Sequence, residues 1–441
     1  MLSIKPISTA LSPNTQWDDV WLAIKLLLTS LPSPASPAGR PLSLVRRGGS
    51  RGRESLEDTF KKYIGAKYAF SFNSGRSALY IILKALDLKM GDEVLLQAFT
   101  CNAVPNPVIW AGGKPVYVDI DGSLNIDPED LAKKITPRSR AVIIQNTFGV
   151  PAKIDKILDI ARQHNLVVIE DCAHALGAEF NGKKLGIFGD VAFFSFGRDK
   201  VISSVWGGMI TTNNQGLADK ISYIYRDVPY PAKLWTFKQL LHPILFSIII
   251  PSYYIFGKYF LAALRIVRGI GLAVSQKERI GERPDVFPSK LPEEFAILAL
   301  HQFDKLERYN THRREIAELY CKKLGIQSSI FPLSTSSSSS LSLPKRGGIG
   351  GEVVPIYLRF NIFHPRAKEI IAEAKKQHIL LGDWYKNIID PVGTDFEKLR
   401  YVPGSCPKAE RAALESINLP THINITKKDA ERIIEYLRNQ R

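Results

Sequence analysis

The sequence predicts an α/β fold: a large domain on a doubly wound, mostly parallel sheet, followed by a smaller C-terminal α/β domain. Three observations carry that expectation. From Ser55 onward, short apolar runs of strand type alternate with stretches of helical period, the order that crossover helices between parallel strands require. Two of the runs stop abruptly at charged residues, as strands do when their carboxyl ends open on a site. The alternation resumes at about residue 352 and continues to the C-terminus.

The first 54 residues read as an extension. A stretch near Leu22 to Leu28 is apolar but interrupted by Lys25, which suits an amphipathic helix better than a secretory signal. A proline- and serine-rich piece, 31–40, favours an open loop. The basic, glycine-rich LSLVRRGGSRG at 42–52 has a near copy, LSLPKRGGIGG, at 341–351 behind the serine run 336–340. Both read as surface-loop insertions, where added length costs little. A grip on phosphate by their arginines is the less favoured alternative, since charge runs are usually solvated.

Strands are expected at 68–72, 93–96, 115–120, 141–144, 167–170 and 191–196. Between the last four, the clearest helix is 154–164, where Ile154, Ile157, Leu158 and Ala161 share one face. Residues 240–264 carry a single charge, Lys258, with Lys233, Lys238, Arg265 and Arg268 on the flanks. Pro243 and Pro251 interrupt this stretch, and a spanning helix needs about 20 continuous apolar residues, so a transmembrane helix is not expected. The readings left are a buried helix pair, a subunit contact, or a peripheral membrane contact whose basic rim meets anionic lipid. Residues 293–321 read as one long amphipathic helix with Phe295, Leu298, Ala299, Phe303 and Leu306 along its apolar face. The expected divisions are 1–54 (extension), 55–235 (large domain), 236–285 (apolar insertion) and 286–441 (long helix and small domain).

A chain of 441 residues with 45% hydrophobic content can bury a sizeable core. Cys101, Cys172, Cys321 and Cys406 lack disulfide or zinc spacing, so no metal is expected and a reducing cytoplasm fits best. The net charge of +16 points to an anionic partner: nucleic acid, a phosphorylated sugar or a membrane surface. No helix-turn-helix or zinc-finger pattern accompanies it and the basic residues are dispersed, so nucleic acid is not expected.

The chemistry is concentrated in two runs. Val167-Val168-Ile169-Glu170-Asp171-Cys172-Ala173-His174 is a strand ending in acid, which sends Asp171 and His174 toward a site. Ala192-Phe193-Phe194-Ser195-Phe196-Gly197-Arg198-Asp199-Lys200 repeats the pattern with a lysine. A buried acid for a pyridine nitrogen and an amine to condense with an aldehyde are what pyridoxal 5′-phosphate (PLP) chemistry needs. Upstream, Ser74-Gly75-Arg76-Ser77 lies between a strand and a helix, where backbone N–H groups would face a phosphate.

Further fragments fall in a familiar order: Phe72-Asn73-Ser74-Gly75-Arg76-Ser77-Ala78-Leu79, Gly91-Asp92-Glu93-Val94, the run 111–121 (AGGKPVYVDID), Trp206-Gly207-Gly208-Met209 and Leu419-Pro420-Thr421-His422. With these, the chain from about Leu56 to its C-terminus resembles the DegT/DnrJ/StrS aminotransferases. The resemblance implies a fold-type I PLP-transferase that moves an amino group from an amino acid, glutamate being the expected donor, to a nucleotide-linked keto-sugar. It implies that Lys200 bonds the cofactor and shuttles the proton, that Asp171 holds the ring nitrogen, and that His174 lies near the ring hydroxyl. Ser74, Gly75, Arg76 and Ser195 would take the phosphate, and a homodimer is expected. Cys101 stands where many relatives stack an aromatic ring on the cofactor, with Phe99 as the alternative in a shifted register. Phe287-Pro288-Ser289-Lys290 stands where relatives carry an Asn-x-Arg motif that reaches the neighbouring subunit.

Three rival readings remain. One is another reaction on the same fold, although the related sugar dehydratases carry histidine at the position of Lys200. Another keeps the enzyme but places it at the inner membrane face on a lipid-linked sugar. The last is a non-catalytic regulator or nucleic-acid-binding protein.

Overall fold

The computed structural model describes residues 5–30, 52–266, 271–325 and 351–440. The proline-rich piece, the serine run and all but the last residue of each glycine-rich copy lie outside them.

Seven strands form the central sheet: β1 (Tyr68–Phe72), β2 (Glu93–Gln97), β3 (Lys114–Val118), β4 (Ser139–Gln145), β5 (Val167–Asp171), β6 (Val191–Ser195) and β7 (Gly208–Thr212). Their order is β1-β7-β6-β5-β4-β2-β3, with β7 antiparallel to both neighbours and the remaining pairs parallel. All six expected strands form within two residues of their expected ends. Burial on both faces explains why they read as continuous apolar runs.

Side-chain alternation divides the core in two. Leu95, Val142, Ile144, Val168, Ala192 and Phe194 enter one cluster, with Leu56 and Phe60 of α2 (Gly52–Ile64). Val94, Leu96, Ile143, Ile169, Val191 and Phe193 enter the other, with Leu79 and Ile82 of α3 (Gly75–Ala85). By the same alternation Asp171 and Ser195 fall on the α3 side, whereas Glu170 falls on the opposite side. There Glu170 accepts N–H groups of Gly186, Phe188 and Gly189 at 2.9, 2.6 and 2.8 Å. One carboxylate is thereby consumed by the fold, and its neighbour is left for chemistry.

The small domain packs the antiparallel strands Phe360–Phe363 and Ser416–Leu419 with the helices Ala367–Lys376 and Lys427–Arg438. Ile7–Ser8 of the N-terminal extension pairs in parallel with Ile379–Leu380, so this strand of the extension joins the small domain. His422 reinforces the tie by bonding the Ser8 carbonyl oxygen at 2.7 Å. The amphipathic helix expected near residues 22–28 is α1 (Trp17–Ser30).

The single helix expected over 293–321 is two, and this corrects the sequence reading. Glu293–Phe303 ends at Asp304, and a new helix runs from Leu306 to Leu324. The first buries Phe295, Leu298 and Ala299 in the large-domain core, while the second buries Ile316, Ala317 and Tyr320 in the small-domain core. A straight rod cannot serve both, and at the break Lys305 turns to Asp18 and Asp19 of α1, at 2.6 and 2.9 Å.

The apolar insertion is a sharply bent pair, α4 (Lys233–Ile249) and α5 (Lys258–Ile266), joined through a wide turn at Tyr253–Gly257. Only glycine fits the turn at 257, because a Cβ there would lie 2.3 Å from the Ile249 carbonyl oxygen.

Candidate active site

Asp171 is the last residue of β5 and is 4% exposed. Its Oδ1 accepts the Ala173 N–H at 2.9 Å. Burial pushes the carboxyl up to about 6, against the opposing pull of that bond and of the Lys200 charge. Lys200 lies in the turn that follows β6. Loss of water depresses its pKa and Arg359 adds to the effect, while Asp171, Cys101 and Asp199 oppose it. The two groups expected from sequence thus share one electrostatic environment beyond adjacent strand ends.

The Lys200 turn is fixed from beneath. Its N–H donates to the Gly197 carbonyl at 3.1 Å. Asn14 donates to the carbonyls of Lys200 and Val201, and Arg313 donates to Val201 at 2.7 Å and to Asn14 Oδ1 at 2.8 Å. Arg313 is fully buried, and desolvation brings its pKa down to about 9. Sequence reading missed both residues, because nothing local marks contacts made across 112 to 299 positions.

His174 is buried and takes the Phe148 N–H on Nδ1 at 3.4 Å, which leaves the proton on Nε2. Its ring lies near-parallel to Phe148 and Tyr385, at 5.8 and 6.5 Å between centroids. Burial first, then the charges of Lys200 and Arg359, hold it well below the usual imidazole range, so it is neutral at pH 7. Phe99 stands edge-on to Tyr385 at 5.2 Å and is wholly buried in this aromatic group. Cys101 is near enough to Lys200, Arg76 and Asp390 to feel their charges, and burial pushes its thiol up to about 11.

Ser74 caps α3, its Oγ accepting the Ser77 N–H at 3.1 Å, and the first-turn amides of α3 have no helical acceptor of their own. Ser195 is brought against this helix start: a Cβ on Gly75 would lie 3.1 Å from the Ser195 Cβ. Gly208 of β7 passes so close that a Cβ there would fall 2.4 Å from the Ser74 carbonyl carbon, and a Cβ on Gly207 would lie 2.9 Å from the Phe196 ring, which together explain the glycine pair after Trp206. The Arg76 side chain leaves this cup. It pairs with the buried carboxylate of Glu278, donates to the Ala273 carbonyl at 2.9 Å and lies over Trp206 and Phe287. The 287–290 segment docks beside it, the Ser289 carbonyl accepting the Asn73 N–H at 2.9 Å.

Arg359 is the residue that sequence reading overlooked with most consequence. It is 5% exposed, its Cζ sits 3.5 Å from the Trp384 ring centroid, and among the described residues no carboxylate comes within salt-bridge distance. The Leu358 N–H, bonded to the Phe148 carbonyl at 2.8 Å, brings the segment that leads into the Phe360–Phe363 strand to the site. A lone arginine inside the apolar run 353–360 was the available signal.

The residues suit the cofactor that the strand-end pair implies. A buried acid held partly protonated gains from a cationic ring nitrogen, and a helix start beside Ser195, with Gly75 closely packed and Gly208 admitting no side chain, suits a phosphate. Without cofactor, the raised Asp171 pKa has a sign that can be checked. The folded state binds a proton between about 4 and 6 that the unfolded chain has released, so this contribution is full at low pH and is lost as pH rises through about 6. Denaturant melts of cofactor-free Asp171→Asn against wild type should show about 2 kcal/mol less loss of stability between roughly pH 4.5 and 7. Identical pH slopes would remove Asp171 as the burdened acid.

The fold, with an acid and a lysine at adjacent strand ends, is of the aminotransferase class. The model of the DegT/DnrJ/EryC1/StrS aminotransferase family matches residues 45–239 and 258–438, and the chain belongs to that family. GDP-perosamine synthase of Caulobacter vibrioides is 44% identical over 167 residues, 38% of this chain and 45% of that protein. The chain spans less than half the length of this and the other most similar curated relatives in such matches. A pleiotropic regulatory protein of Geobacillus stearothermophilus is 29% identical over 392 residues, 87% of each chain. The solved structure of Helicobacter pylori PseC, an aminotransferase of pseudoaminic acid biosynthesis, shares the fold with a TM-score of 0.69 at 19% identity, over 99% of each chain.

Proposed function

We propose that the protein is a PLP-dependent aminotransferase that takes an amino group from an amino acid, with glutamate the expected donor, and passes it to a nucleotide-linked keto-sugar. The observation that carries this reading is the mutual influence of Asp171 and Lys200 beyond the ends of β5 and β6. When bound, PLP supplies an electron sink conjugated to the donor's α-carbon. Asp171 would keep the ring nitrogen protonated, and neutral His174 would present Nε2–H to the ring hydroxyl. Ser74, Gly75, Ser195 and the first-turn amides of α3 would hold the phosphate, with Arg76 fixing the adjoining segment through Glu278. Lys200, whose depressed pKa favours the free amine, would take the donor's α-proton and deliver it to C4′ of the cofactor. Cys101 would line the ring in place of an aromatic side chain.

Arg359 supports an anionic donor: a buried guanidinium without a carboxylate partner is costly, and a substrate carboxylate would relieve it. The names of the matched synthase and of PseC support a keto-sugar acceptor. A twofold dimer with sites at the subunit boundary is part of the reading. The regulatory relative, matched over most of its length, favours a second reading without catalysis.

A two-stage assay decides between them. Glutamate should discharge the ~400 nm absorbance of the loaded enzyme, and a nucleotide keto-sugar should restore it. A band indifferent to every amino acid and keto-sugar would support the regulator.

A further inference from the structure

We propose that the α4–α5 hairpin docks the protein on the surface of an anionic bilayer, entering the headgroup region from one side without crossing it. Residues 240–257, the first arm's second half and the turn, fall in the gap of the family match, whereas α5 lies within the matched residues, so it is the bend between the arms that departs from the family pattern. Its own core is small: Phe246, Ile249 and Leu261 form a cluster apart from the three larger ones.

Leu261 is the single buried residue of α5. Ile255 and Phe256 in the turn, with Tyr259, Phe260 and Ile266 on the helix, are between 37% and 81% exposed. Tyr259, Ala262, Ala263 and Ile266 follow the i, i+3, i+4, i+7 spacing, so one long stripe of this helix is open and apolar. An apolar face of this kind on an otherwise charged protein marks a contact surface. Two arms meeting at 108°, neither able to span alone, suit insertion to headgroup depth.

Charge selects the occupant. Between Asp227 and Lys277 the sequence has no acidic residue but carries Lys233, Lys238, Lys258, Arg265 and Arg268. Lys258 and Arg265 are exposed at the two ends of the open stripe. A second copy meeting this face would bring cations to cations, since the segment carries no acidic residue, whereas anionic headgroups would neutralise them. The exposed Tyr259 supplies an amphipathic ring of the kind that favours the membrane–water boundary. Helix α1 packs along α4 and carries Trp17, Trp21 and Leu28 as a second open stripe, each more than 60% exposed.

The test is flotation of the loaded full-length enzyme with phosphatidylcholine vesicles, with and without phosphatidylglycerol. Wild type should float with the anionic vesicles at least roughly tenfold more than with the neutral ones. Joint substitution Ile255→Ser, Phe256→Ser, Tyr259→Ser and Phe260→Ser should cut that binding by roughly tenfold or more, with the ~400 nm band and amino-donor turnover unchanged. Lys258→Glu with Arg265→Glu should erase only the preference for anionic vesicles. Flotation unaffected by the serine substitutions overturns the proposal. So does a wild type that stays with neither vesicle while the serine variant dissociates an oligomer in sedimentation velocity, since the face would then belong to a second copy. Because the band and turnover are read separately, loss of the membrane proposal leaves the catalytic reading standing, and the reverse also holds.

Discussion

Lys200→Ala is expected to lower amino-group exchange between glutamate and its keto acid by about 10⁴-fold and to erase the ~400 nm absorbance of the cofactor-loaded protein. On the proposed reading the substitution removes both the point of covalent attachment and the base that moves the proton. It should leave the fold intact, because the bonds from Asn14 and Arg313 hold the carbonyls of residues 200 and 201 and make no use of the amine. Melting temperature should therefore change by no more than a few degrees, and circular dichroism not at all. A band that persists in this variant would mean that another amine holds the cofactor.

Arg359→Met is expected to act in two directions. As the anchor for the donor's carboxylate, the guanidinium should be worth about 2–4 kcal/mol, so KM for glutamate should rise roughly 30- to 1000-fold with a smaller change in kcat. As a buried cation lacking a carboxylate partner, it burdens the protein without substrate, so the methionine variant should melt higher than wild type. Arg359 also depresses the Lys200 pKa, and its loss should move the alkaline-rising limb of the pH–rate profile toward higher pH. A variant that melts lower and keeps its KM would mark Arg359 as a packing residue.

How much could be read in advance follows from the range of the interactions. The six strands with apolar runs were legible because burial on both faces writes itself into consecutive residues. Asp171 and Lys200 were legible because each sits at the end of such a run. Arg359 and Tyr385 were not, since they reach the site from a separate domain whose docking no local pattern records. The same holds for Glu278, which takes the Arg76 side chain out of the expected phosphate cup while leaving its backbone there. The break at Asp304 was hidden because the apolar period continues through it, and only the existence of two separate cores interrupts the rod.

The strand at Ile7–Ser8 has a consequence for how the molecule is made. Its hydrogen-bonding mate lies some 371 positions further along, and Asn14, which steadies the Lys200 loop, sits a few residues past that strand. A ribosome releasing the chain in order can complete the large sheet well before this clasp has anything to close on. Nascent protein therefore carries the Lys200 loop without the support of that clasp until translation nears its end.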